Sequence, residues 1–178
     1  MKILAFGASY SSTSINKQFA SFAAKQFVGN EIEVLDLNYF DVPIFTVDRE
    51  AKEGHPALVK EFVSKIEQAD LVIISMAEHN GSYTAAFKNL FDWASRVKSK
   101  TFEAKKLFLL STSDGSRGGA SVLAAALERF PRHGAEILAS FSLPVFKINF
   151  DDEQGILDQD LKNIFDEKMK EVKTSMIR

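Results

Sequence analysis

"DLVIISMAEHNGSYTAAFKNLFDWASR", residues 70–96, changes period partway along, and that change decides the fold class. Its first seven residues form a short β-branched apolar run bounded by polar residues, which reads as a strand buried on both faces. From Thr84 onward the apolar groups fall at Phe87, Leu90, Phe91 and Ala94, one face of a helix. Between the two lies "AEHNGSY", which gathers a carboxylate, an imidazole, an amide and a glycine where a strand ends and a helix begins. In open α/β sheets, ligands sit at such junctions.

The same alternation extends in both directions. Strand-like runs occur at "KILAFGA", "EIEVLDL", "KLFLLST" and "EILASFSLP", separated by the helical segments "SINKQFASFAAKQF", "PALVKEFVSKIEQA" and "GASVLAAALERFPRHG". A last helix is predicted from about Leu157 to Val172, turning Leu157, Leu161, Ile164, Phe165 and Val172 toward the core. Alternation of this kind predicts an α/β fold: a doubly wound, five-stranded parallel sheet of flavodoxin-like order 2-1-3-4-5, with helices on both faces. Two stretches interrupt it. Residues 38–56 make a longer, aromatic-bearing connection expected to act as a lid or interaction surface, and residues 145–158 alternate as if extending a strand.

With 178 residues, a single domain over residues 1–178 is expected. A formal net charge of -2 and scattered basic residues argue against nucleic acid as a partner. The absence of cysteine removes thiolate nucleophiles, thiolate zinc sites and disulfides. The apolar run at the amino terminus falls far short of the roughly 18 residues of a membrane span, so no membrane partner and a cytoplasmic location are expected. His55, His79 and His133 are too dispersed for a metal site, and no G-x-S-x-G elbow suggests a hydrolase.

Three loops therefore meet at one edge of the sheet. The first, "GASYSSTSIN", places Ser9, Ser11, Ser12, Thr13 and Ser14 just ahead of a helix, where hydroxyls and free N–H groups suit a phosphate. Taken alone it is equally a serine-rich turn with an N-cap at Thr13 or Ser14. No Walker or dinucleotide fingerprint is present, which favours a single terminal phosphate and so a mononucleotide. The loop "STSDGSRGGAS" supplies glycines for a sharp turn or a close approach to a ligand.

These residues resemble the NADPH-dependent FMN reductase family, flavodoxin-like enzymes that include flavin, quinone, chromate and azo-dye reductases. The family opening G-S-x-R-x-x-S-x-N is matched by Gly7, Ser9, Ser14 and Asn16. Its P-E-Y-N-G-S signature and the K-N-x-x-D-W helix that follows are matched by Glu78, Asn80, Gly81, Ser82, Lys88, Asn89, Asp92 and Trp93, and S-x-G-x-x-G-G by Ser113, Gly115, Gly118 and Gly119. The resemblance implies FMN as cofactor and NAD(P)H as co-substrate, with hydride passed to a small-molecule acceptor and no catalytic side chain or metal. It implies phosphate binding by Ser9, Ser11, Ser14, Ile15 and Asn16. The ring would then lie along Ala77, Glu78, His79, Asn80 and Gly81, with Ser113 and Gly115 on its other side.

Departures from the family pattern are Ser11 for arginine, Ala77 for proline, His79 for tyrosine and Asp114 for proline. Two readings of Glu78 stand, a flavin-site residue or a capping or interface carboxylate, and His79 either stacks on the ring or is a solvated loop residue. A homodimer or homotetramer is expected. An electron carrier of the flavodoxin type, or a non-catalytic flavin-binding protein, are the alternatives.

Overall fold

The computed structural model describes residues 1–177. In chain order its elements are β1 (Lys2–Gly7), α1 (Ile15–Lys25), β2 (Glu31–Leu35), α2 (Val47–Glu53), α3 (Ala57–Gln68), β3 (Leu71–Met76), β4 (Glu78–His79), β5 (Ser82–Tyr83) and α4 (Ala85–Val97). The second half holds β6 (Lys105–Thr112), α5 (Ala120–Arg129), β7 (Ala135–Leu143), α6 (Phe146–Asn149), β8 (Phe150–Asp151), β9 (Gly155–Ile156) and α7 (Gln159–Ile177). The five long strands pair in parallel in the order β2-β1-β3-β6-β7. Counting only those strands, this is the expected 2-1-3-4-5.

Side-chain alternation along each strand builds two cores. On one face Leu4, Phe6, Val72, Ile74, Leu107 and Leu109 pack against α3, α4 and α5; on the other Ile3, Ala5, Leu71, Ile73, Phe108 and Leu110 pack against α1 and α7. Every residue of β3 is buried, as a central strand covered on both sides requires. Phe19 alone meets Phe22, Phe141, Phe150 and Phe165 within 6.4 Å, so many of the chain's phenylalanines serve as core filling.

Two expectations change. The last helix starts at Gln159 and buries Phe165, Met169 and Val172, while Leu157 and Ile164 are exposed. Residues 145–158 form α6 and a separate β8–β9 hairpin, not an extension of the main sheet. The connection over residues 38–56 is a structured and tethered segment containing a 3-10 turn (Leu37–Phe40) and α2. The Asn89 amide accepts from the Phe45 N–H and donates to the Val42 and Pro43 carbonyls, and the Trp93 indole donates to Pro43 at 2.7 Å. Farther along, Arg96 and His55 both reach Glu50 at 3.0 Å. Lys88 and Asp92, on the same helix, pair with each other at 2.8 Å. The K-N-x-x-D-W helix is thus a clamp for this connection.

Candidate functional site

The carboxyl ends of β1, β3 and β6 carry three loops that are bonded to one another. Thr84 Oγ1 caps α4 by accepting from Phe87 N–H and donates to the Ala8 carbonyl at 2.9 Å, joining the first loop to the second. Asn16 joins the first to the third. Its amide donates to the Thr112 carbonyl at 3.1 Å, and its Oδ1 accepts from the Thr112 N–H at 3.1 Å and from Ser75 Oγ at 2.7 Å. The second meets α5, the helix that follows the third, where Glu78 Oε2 accepts from the Val122 N–H at 2.9 Å.

Helix α1 begins with Ser14, whose side chain accepts from the Lys17 N–H at 3.1 Å. That cap satisfies one of the four N–H groups a helix start leaves open. Among the described residues the Ile15 and Asn16 N–H groups have no acceptor, and they point out of the helix end with the favourable sign of its dipole. Gly7 permits the arrangement, because a Cβ there would lie 2.3 Å from the Lys17 nitrogen. Ser9 Oγ accepts from the Ser11 N–H at 3.1 Å, while Ser11, Ser12 and Thr13 are exposed. This end of the cleft can bind an anion through backbone donors and hydroxyls.

The "EHNGSY" stretch is a β-hairpin, pairing Glu78 with Tyr83 and His79 with Ser82. Its two-residue turn, Asn80 and Gly81, has φ of 51° and 74°, both in the left-handed region that a type I′ turn demands. A Cβ on Gly81 would meet nothing within 4 Å, so the glycine answers to backbone conformation here and not to crowding within the chain. Ala77 is buried; His79, Asn80 and Gly81 are exposed. In the third loop the Gly115 and Ser113 carbonyls accept from the Val145 and Phe146 N–H groups at 3.1 and 3.0 Å. Lys147 pairs with Asp114 at 2.7 Å across the same rim.

The expected positions therefore share one edge of the sheet, but their side chains divide. Asn16 and Glu78 are turned to neighbouring elements, Ser14 caps its own helix, and the Ile15 and Asn16 backbones stay open. Sequence reading did not single out Tyr10, whose hydroxyl donates to the Phe40 carbonyl at 2.6 Å and anchors the 38–56 connection to the first loop. Burial, aided by Asp41, pushes its phenol up to about 12, so it remains a donor. Nor did it single out Lys17, whose ion pair with Asp36 at 2.6 Å, together with Asn38, holds that carboxyl down at about 2. Among the described residues no three His, Cys, Asp or Glu side chains cluster to hold a metal, and no helix is long and apolar enough to cross a membrane.

Comparison with known proteins gives a family and a fold. The family model described as NADPH-dependent FMN reductase matches residues 1–147. A quinone reductase of Escherichia coli K12 is 36% identical over 80 residues, 45% of this chain and 43% of that protein, so the chain spans under half of that relative's length. An NAD(P)H-dependent FMN reductase of Pseudomonas aeruginosa is 28% identical over 149 residues, 80% of this chain and 76% of that protein. Among solved structures, a flavoenzyme NAD(P)H:(acceptor) oxidoreductase of Paracoccus denitrificans superposes with a TM-score of 0.74 at 21% identity, covering 97% of both chains. That likeness shows the shared fold.

Proposed function

The chain belongs to the NADPH-dependent FMN reductase family, and on that premise we propose that it binds FMN and oxidises NAD(P)H, passing the electrons to flavin, quinone, azo or similar small-molecule acceptors. One observation carries the reading: the open Ile15 and Asn16 N–H groups lie at the same sheet edge as the 78–83 hairpin and the Gly115 loop, all bonded to one another. The donor set fits a terminal phosphate, because it offers backbone N–H groups and hydroxyls at a helix start.

FMN supplies the electron-accepting ring. The chain's own part is to hold and orient. The first loop would hold the phosphate through Ser9, Ser11, Ser14 and the Ile15 and Asn16 backbones. The backbone of residues 77–81, the exposed His79 ring, Ser113 and Gly115 would border the flavin. Fixed N–H dipoles of this kind stabilise charge without reorganising. Glu78 is engaged at α5, and hydride transfer to a flavin needs no side-chain base.

The protein works as a homodimer or homotetramer in which the 38–56 connection, with exposed Tyr39, Ile44 and Val47, borders a neighbour's site. Its lack of cysteine suits the cytoplasm. The test is the absorption spectrum of the purified protein before and after FMN, followed by reduction with NADPH and NADH and reoxidation by a quinone. Absence of calorimetric saturation at about 1 mM FMN overturns the reading. Flavin binding without NAD(P)H oxidation would make the protein an electron carrier instead.

A further inference from the structure

Tyr10 stands in the middle of the first loop, between Ser9 and Ser11, at a position that the opening motif leaves free. The loop is fixed at both ends. At one, the Ala8 N–H donates to the Ser75 carbonyl at 2.8 Å and the Ala8 carbonyl accepts from Thr84; at the other, Ser14 caps α1. Between those ends the Ser9 and Ser11 backbones and the Ser9, Ser11 and Thr13 hydroxyls bond within the loop, reaching no farther than Gly7 and Ser14. Among the described residues a single hydrogen bond leaves residues 9–13 for another part of the fold, from the Tyr10 hydroxyl to the Phe40 carbonyl at 2.6 Å.

The receiving end of that bond is itself held. Phe40 is buried, with its ring against Phe62 at 5.4 Å. Asp36 caps the 3-10 turn by accepting from the Asn38 N–H at 2.9 Å, and it pairs with Lys17 of α1 at 2.6 Å. The contacts close into a circuit: loop to turn through Tyr10, turn to helix through Asp36 and Lys17, and helix back to loop where Ser14 accepts from the Lys17 N–H. Ile15 and Asn16, with their open N–H groups, lie on the segment between Tyr10 and Lys17. The Tyr10 ring packs against the core on the α3 and α4 side of the sheet, so its hydroxyl is aimed by a fixed ring.

With serine at position 11, the pocket holds an anion by hydroxyl and backbone donors, whose bonds weaken steeply with distance and angle. Affinity then depends on how well those donors are placed before the ligand arrives, because ordering a loose loop on binding costs free energy. We propose that Tyr10 is a positioning residue for the cofactor phosphate: its bond to Phe40 fixes residues 9–13 beside the open helix end, so that the 37–40 turn sets how tightly FMN is held. This rests on the reading that the chain binds FMN through the first loop.

The experiment compares FMN with riboflavin, which has the same ring and no phosphate, by calorimetry on the full chain and on Tyr10→Phe. The substitution keeps the aromatic ring and removes the hydroxyl. FMN should bind about tenfold more weakly to the variant, the effect of one lost hydrogen bond, while riboflavin binds as it does to the parent. A hydroxyl with a purely structural role would lower the melting temperature and leave the ratio of FMN to riboflavin affinity as it was. In the parent, FMN should also slow amide exchange at Asn38 and Tyr39, both bonded to Asp36, and in Tyr10→Phe that slowing should be lost. A parent that binds no FMN overturns the functional reading and this inference with it. A parent that binds FMN, with an affinity ratio unaltered by Tyr10→Phe, overturns the inference alone, as does exchange at Asn38 and Tyr39 that FMN leaves unchanged in the parent.

Discussion

Glu78 Oε2 accepts a hydrogen bond from the Val122 N–H at 2.9 Å, and it does so at the start of a helix whose own N-cap, Gly119, has no side chain to offer. A carboxylate from the hairpin thereby serves as the cap of α5, favourable both as an acceptor and as a negative charge at the positive end of the helix dipole. Glu78→Ala should destabilise the fold by about 1 kcal/mol, lowering the melting temperature by about 2–4 °C in a chain of this size. Glu78→Gln should retain part of the bond. Stopped-flow reduction at saturating FMN should stay within about tenfold of the parent rate, under roughly 1.4 kcal/mol of barrier. A thousandfold loss with flavin still bound would make Glu78 a catalytic carboxylate.

The turn at the hairpin tip should be sensitive to conformation and tolerant of volume. Both Asn80 and Gly81 hold positive φ, and the space around a Cβ at Gly81 is open. Gly81→Ala should cost about 1 kcal/mol of stability through left-handed strain, and Gly81→Val more because of its branched Cβ. FMN affinity should fall in the same order, whereas Asn80→Gly should preserve both. Thermal melts and flavin titration of the three variants check this; equal affinity across them would mean that the turn does not approach the cofactor.

Asn16 should behave as a residue of the core. Asn16→Ala strips partners from Ser75 Oγ and from the Thr112 backbone, all buried, and should destabilise by about 2 kcal/mol or more. Urea unfolding measures it. At a temperature where the variant remains folded, FMN affinity should be close to that of the parent, because the backbone N–H is unchanged.

Ser11→Arg should restore a charged phosphate contact and tighten FMN by about 1 kcal/mol or more at low ionic strength. The gain should shrink as salt is raised. The Ser11 side chain is exposed and 3.5 Å from Thr13 Oγ1, which leaves room for the larger group. Calorimetry at two salt concentrations decides, and unchanged affinity at low salt would mean that position 11 points away from the phosphate.

The Lys17–Asp36 pair sets a prediction in pH. The Asp36 carboxyl is depressed to about 2 by Lys17 first and Asn38 second, so its contribution is complete above the unfolded carboxyl's pKa near 4 and disappears as pH falls toward 2. Solvent exposure on both sides limits that contribution to below about 1 kcal/mol. The difference in melting temperature between the parent and Asp36→Asn should be constant from pH 5 to 8 and close below about pH 4. A difference that persists at pH 2 would assign the effect to something other than this charge.

The five long strands were legible because each is an apolar run flanked by polar residues, and the helices between them because their apolar faces recur at helical spacing. The last helix shows where periodicity stops short. Leu157 and Ile164 fit an apolar stripe, but Phe165, Met169 and Val172 are the residues that meet the sheet. The hairpin carried a usable signal, Asn-Gly between two dipeptides, which goes unread when the stretch is taken simply as a loop. The reach of Glu78 across 44 positions to Val122 and of Asn16 across 96 to Thr112 carries no local signature, since only the sheet brings those elements side by side. For the same reason the side chain of Asn16 reads as a ligand contact in one dimension and is a structural tie in three.

Helix α1 rests on β1 at Gly7 with no side chain between them, and the nearest backbone atom leaves no room for even a methyl group. A library that randomises the anion pocket would therefore return glycine at this position whatever ligand is selected. Only the neighbouring exposed positions, Ser11, Ser12 and Thr13, would diversify. The height of the pocket floor is inherited from the sheet, and the chemistry of its rim is open to change: new specificities can be sought there one hydroxyl at a time without placing the fold at risk.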